Sequence, residues 1–179
     1  MRKSTQVAIG GLSASLCVLL MFMTGLMPFA TYALPAIAGA ILITVVIENG
    51  AATAWIVYFA VSLLSIFIVP DKEAALMFIA FFGYYPILKE KLELIKSKFL
   101  QYFLKFSVFN VAIVSSYFVI INIFGFTEVM GEMGDFGKYG LLGLLLLGNI
   151  TFLIYDFALT NLLVMYLKVI RKNLLRKIK

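Results

Sequence analysis

Long uncharged apolar stretches alternate along this chain with short polar breaks. Ser4–Ile47 carries no charge, and neither do Asn49–Pro70 and Phe106–Thr127. Hydrocarbon cannot solvate charge, so uncharged runs of this length read as bilayer spans. The breaks divide them into six helices. The first is predicted over Val7–Met27 and ends before Pro28. The second, Ala33–Ile47, carries Pro35 in its first turn, where a missing N–H is harmless. It stops at Glu48-Asn49-Gly50, a helix-end signature. The third, Ala51–Val69, ends at Pro70-Asp71. The fourth, Ala74–Leu88, reaches only ~22 Å at ~1.5 Å per residue, short of the ~30 Å hydrocarbon core. The second is equally short, and such helices sit beside longer partners or in locally thinned bilayer. The fifth and sixth, Phe106–Phe124 and Tyr139–Leu167, flank a glycine-rich acidic loop, Gly125–Lys138.

Between the fourth and fifth spans the pattern changes. Leu88, Leu92, Ile95, Phe99 and Phe103 recur at steps of three and four, which makes one apolar helical face with lysines mostly opposite. Lys89–Lys105 therefore reads as an amphipathic helix lying on the membrane surface.

Charge then orients the chain. Of the 15 Lys and Arg, all but Lys72 and Lys138 fall at Arg2–Lys3, at Lys89–Lys105 or at Lys168–Lys179. Basic residues are retained on the cytoplasmic side. Six spans with both termini cytoplasmic put all three clusters there, and five or seven spans would not. The loops at Pro28–Tyr32, Pro70–Glu73 and Gly125–Lys138 then face outward. The expected architecture is a single all-α membrane domain over residues 1–179, a six-transmembrane-helix bundle in the cell membrane of a bacterium.

Composition supports the membrane reading: the chain is 63% hydrophobic, against ~45–50% in soluble domains. The net charge of +6 is assigned to cytoplasmic flanks facing anionic lipid headgroups rather than to nucleic acid. The first run lacks the small-residue cleavage site of a signal peptide. The single cysteine, Cys17, reads as a packing residue. There is no histidine, no Walker loop and no nucleophile beside a base, so neither an enzyme nor a resident cofactor or metal is expected.

Asp156 is the one charge deep within a predicted span, where an ionisable group is costly and by default marks a site. Asn149, Asp156 and Thr160 share a helical face. They could line a ligand cavity, or make interhelical hydrogen bonds with Asn110, Asn122 or Thr44. Lys72, within Pro70-Asp71-Lys72-Glu73, could meet an anionic ligand; the plainer alternative is a solvated helix cap with Asp71 at the start of the fourth helix. Tyr32 and Tyr117 are the aromatics placed to stack on a ligand in an outward pocket, whereas Phe81-Phe-Gly-Tyr-Tyr-Pro86 reads as an interfacial belt. On the first helix, Gly10/Ala14 and Gly11/Ser15 are small residues four apart. That spacing permits close approach by another helix, from this bundle or from a partner.

In size, span count and the small-residue stripe Ala8–Ser15, the chain resembles the substrate-binding S component of an energy-coupling-factor (ECF) vitamin transporter. The resemblance implies that Gly10, Gly11, Ala14 and Ser15 dock onto a transmembrane coupling subunit, which works with two ATPase subunits. It also implies that a small vitamin-like solute is captured from outside by the loops Phe29–Tyr32 and Pro70–Glu73 and the sixth span. This chain offers Gly10/Ala14 and Gly11/Ser15 where the family has an Ala-x-x-x-Ala-like stripe, and it carries no substrate signature. Two alternatives stand beside it: a membrane scaffold similar to the rod-shape protein MreD, and a proton-coupled carrier built on Asp156.

Overall fold

A computed structural model describes residues 3–124 and 137–171. Among these the chain is helical, without strands. Four helices are long and apolar enough to cross a membrane, at Lys3–Gly25, Ala51–Ile68, Lys98–Ser116 and Leu145–Lys168, and Ala33–Asn49 is a shorter apolar helix. A membrane location follows from these four.

The chain forms two compact units, one of residues 1–87 and 155–179, the other of residues 88–154. In the first unit, helices α1 (Lys3–Phe22), α2 (Ala33–Asn49) and α3 (Ala51–Ile68) pack against one another. Their shared core includes Met21, Leu42, Val45, Ala54 and Val61. Cys17 is buried there, with its thiol donating to the Ala38 carbonyl at 3.2 Å. A single residue, Gly50, joins α2 to α3 at φ 85° and ψ 163°. Glycine alone adopts that conformation without strain.

The predicted fourth span is interrupted. Helix α4 (Lys72–Met77) runs into a π-helical turn, Phe78–Phe82, and the chain turns at Gly83-Tyr84 before α5 (Tyr85–Glu93). The turn is marked by the Gly83 amide bonding back to Phe78 O at 2.8 Å, five residues away. Widening one turn strands a carbonyl that an α-helix would satisfy. Tyr58 on α3 takes it, its hydroxyl donating to Ile79 O at 2.7 Å. Two glycines make room. A Cβ at Gly39 on α2 would run into the Phe82 carbonyl, and one at Gly83 would meet the Tyr58 ring at 2.7 Å.

The last helix, α7, spans Gly137–Met165 and continues as a π-helical stretch, Tyr166–Arg171. Its final part belongs to the first unit, where Tyr166 donates to Glu48 at 3.2 Å.

In the second unit the expected amphipathic helix over Lys89–Lys105 is divided. α5 ends at Glu93, and α6 (Lys98–Phe124) begins after four intervening residues. Ser97 caps α6, accepting from the Leu100 amide at 3.4 Å. The periodicity of Leu88 to Phe103 therefore runs through two helices and a turn. The inner lysines are core residues: Lys89 and Lys105 are each 3% exposed. They lie 2.8 and 3.5 Å from Glu93 Oε1. Deeper in this unit Phe109 stacks on Phe152 at 4.8 Å. The acidic loop predicted at Gly125–Lys138 lies almost wholly outside the described residues, as do Arg2 and the basic tail from residue 172.

Gly39→Ala is expected to lower stability by about 1–3 kcal/mol, because the obstacle is backbone and overpacking is costly. Gly11→Ala, where an added Cβ has nothing within 4 Å, should instead raise stability by up to about 0.5–1 kcal/mol, the helix preference of alanine over glycine. Thermal melts in one detergent compare the two, and an equal, small effect would refute the close approach at Gly39.

Candidate functional site

The named polar residues fall into three groups. The first joins the loops after α1 and α3. Asp71 caps α4, accepting from the Ala74 amide at 3.0 Å, and its other oxygen accepts from the Thr31 hydroxyl at 2.9 Å. Tyr32 donates to Glu73. Lys72 turns back onto α3, donating to Ile66 O at 2.8 Å and Val69 O at 3.0 Å. A cation on the last carbonyls of a helix is favoured by the helix dipole. The structure thus brings Tyr32 and Lys72 to the same end of the first unit, with Lys72 acting as the cap of α3 and Asp71 as the cap of α4.

The second group surrounds Asp156, which is 8% exposed. Its Oδ1 accepts from the hydroxyl of fully buried Tyr85 at 2.7 Å. Thr160, one turn on, donates to the Asp156 carbonyl at 3.0 Å, a bond within its own helix. Tyr155 reaches the Ala36 carbonyl at 3.4 Å and packs edge-on against Phe82 at 5.2 Å. Phe81 stacks on Tyr85 at 4.8 Å. The stretch Phe81–Pro86, expected as an interfacial belt, is here an internal aromatic cluster around the buried carboxylate. Lys72 opens α4 and Tyr85, thirteen positions on, opens α5 beyond the π-helical turn. The Asp156 group therefore belongs to the opposite end of that segment from the loop group.

Asn149 lies in the second unit. It exchanges hydrogen bonds with Asn110 on α6, at 3.0 and 3.1 Å. Each amide also donates to a carbonyl one turn back in its own helix, Phe106 O at 2.8 Å and Leu145 O at 2.7 Å. All four side-chain N–H bonds of the pair are thereby used. The side chains of Tyr117 and Asn122 lie outside the described residues.

Sequence reasoning did not assign Tyr85 to Asp156 or Tyr58 to the Ile79 carbonyl. The available signal was that a phenol in an apolar segment, such as Tyr58 or the Tyr84-Tyr85 pair after Gly83, needs an acceptor once buried.

The small-residue stripe of α1 divides between two surfaces. Gly10 is buried, and a Cβ there would sit 3.4 Å from Val57 on α3. Gly11 and Ser15 are exposed and Ala14 half-buried. With Val18, Leu19 and Phe22 on α1 and Leu64 and Ile68 on α3, these three line an open apolar groove of about 500 Å³.

None of the family models, curated proteins and solved structures compared with this chain matches it.

Tyr85→Phe is expected to cost about 1 kcal/mol of stability, the range of an interhelical bond in a membrane protein. Asp156→Asn, which keeps an acceptor, should cost less through this bond than Asp156→Ala. In a double-mutant cycle of Tyr85→Phe with Asp156→Ala the losses should be less than additive. Full additivity in thermal melts would show that the bond contributes nothing.

Proposed function

We propose that this protein is the substrate-binding S component of an ECF-type uptake transporter in the cell membrane, with six spans and both termini cytoplasmic. It would capture a small vitamin-like solute from outside and rely on a separate coupling subunit and two ATPase subunits for energy. The observation that carries this reading is the open groove over Gly11, Ala14 and Ser15. Small residues let a second helix approach to backbone distance, and the Leu19, Phe22, Leu64 and Ile68 walls offer it apolar packing. The outer loops tied through Thr31–Asp71 and Tyr32–Glu73 are the solute-facing element of the proposal, with Lys72 among them; Tyr117 is a further candidate.

A second reading is favoured by a different observation. Asn149, Asp156 and Lys72 all make internal hydrogen bonds, as they would in an MreD-like scaffold without a solute.

Tagged protein purified gently from native membranes separates the two. The transporter reading expects a membrane coupling subunit and two ATPases to co-purify. Gly11→Leu and Ser15→Leu should abolish that association while leaving the melt of the free protein unchanged. A vitamin at a hundredfold excess over its Kd should add about 2.7 kcal/mol of stability. Cell-wall or division proteins in place of ATPases, with no vitamin shifting the melt, would overturn this reading in favour of the scaffold.

A further inference from the structure

The tip formed by the turn between α5 and α6 combines two kinds of surface that conflict in any single medium. Leu94 is 79% and Phe99 83% exposed, and Phe103 and Tyr102 are exposed beside them. Interleaved with these are the exposed lysines Lys91, Lys96 and Lys98. Water disfavours the first set and hydrocarbon the second. The backbone adds a constraint of its own: residues 94–97 lie between helices, and irregular backbone is not tolerated facing lipid tails. The depth that satisfies all three conditions is the boundary between headgroups and acyl chains, where rings and leucines dip inward and ammonium groups meet phosphate.

The five lysines of this region do not act alike. Lys89 and Lys105 turn inward and share Glu93. Glu93 is exposed but engaged by those two lysines, so Glu90 is the acid left to offset three exposed lysines. The outward charge of the tip is therefore basic.

We infer that the α5–α6 tip is an anionic-phospholipid site, with Leu94 and Phe99 inserted at the acyl boundary and Lys91, Lys96 and Lys98 holding the lipid phosphates. By the retention of basic residues it sits on the cytoplasmic leaflet. The inference is independent of whether the protein carries a solute.

Trp55 is the single tryptophan, so Trp55→Phe gives a background for one reporter at the tip, Phe99→Trp, with Leu94→Trp as a second. Each is reconstituted into two sets of vesicles with the same total composition, the bromine being carried by phosphatidylglycerol in one and by phosphatidylcholine in the other. The expected result is blue-shifted emission and stronger quenching by brominated phosphatidylglycerol, up to about fivefold for each lysine engaged. Raised salt should weaken the preference. Lys91→Gln, Lys96→Gln and Lys98→Gln together should abolish it while quenching by phosphatidylcholine persists. Water-like, unquenched emission from both reporters would overturn insertion. Equal quenching by the two lipids, or a preference that survives loss of the three lysines, would overturn the headgroup assignment.

Discussion

A helix that widens to a π-turn in apolar surroundings must pass its stranded carbonyl to another donor, and much of the first unit is arranged around that requirement. The turn at Phe78–Phe82 gives its Ile79 carbonyl to Tyr58. For the Tyr58 ring to lie there, position 83 must lack a side chain; for α2 to close against the same turn, position 39 must lack one too. The register of α2, α3 and the fourth segment is thus fixed by two absent side chains and one hydroxyl. Tyr155 completes the contact from α7, packing on Phe82 and reaching the Ala36 carbonyl. These are costs that a solvated helix would not face, because water would satisfy the free carbonyl.

The same constraint governs the polar residues further along. Asn110 and Asn149 use all their amide hydrogens on each other and on their own helices. Asp156 takes the Tyr85 hydroxyl. Each arrangement is what interhelical hydrogen bonding requires, and each would also be compatible with a rigid cavity wall. What separates the groups is accessibility. Thr31, Tyr32, Asp71, Lys72 and Glu73 lie in loops and helix ends, where a solute could reach them. Asp156 and Tyr85 are enclosed by Phe81 and Tyr155.

The helical character, the span-length runs and most helix ends were legible in the sequence because they depend on local signals. Gly50 ended α2, Pro70-Asp71 ended α3, and Asp71 opened α4, as glycine and capping chemistry predict. The division of the fourth segment was not legible. Phe81-Phe-Gly-Tyr-Tyr-Pro86 carries the aromatics of an interfacial belt, and nothing in its spacing indicates that Tyr58, more than twenty residues earlier, will supply a donor to Ile79. The amphipathic stretch from Leu88 to Phe103 misled for a related reason. Its period is genuine, but a turn of four residues between helices preserves a three-and-four rhythm while breaking the backbone. Hence Lys89 and Lys105, which pattern alone places on a wet face, are buried around Glu93.

The first helix shows why a small-residue stripe cannot be read as one surface. Gly10 and Gly11 are neighbours in sequence, about 100° apart around the helix at 3.6 residues per turn. That rotation sends Gly10 against Val57 on α3 and leaves Gly11 in the open groove. The two overlapping pairs of small residues thus carry different obligations. At Gly10 the small residue faces α3, where a Cβ would come into van der Waals contact with Val57 at 3.4 Å. At Gly11 the fold requires nothing, because a Cβ would meet open space. A glycine costs a helix roughly 0.5–1 kcal/mol relative to alanine. No contact within the described residues accounts for that cost, so the proposed docking role of the stripe rests on Gly11 and not on Gly10.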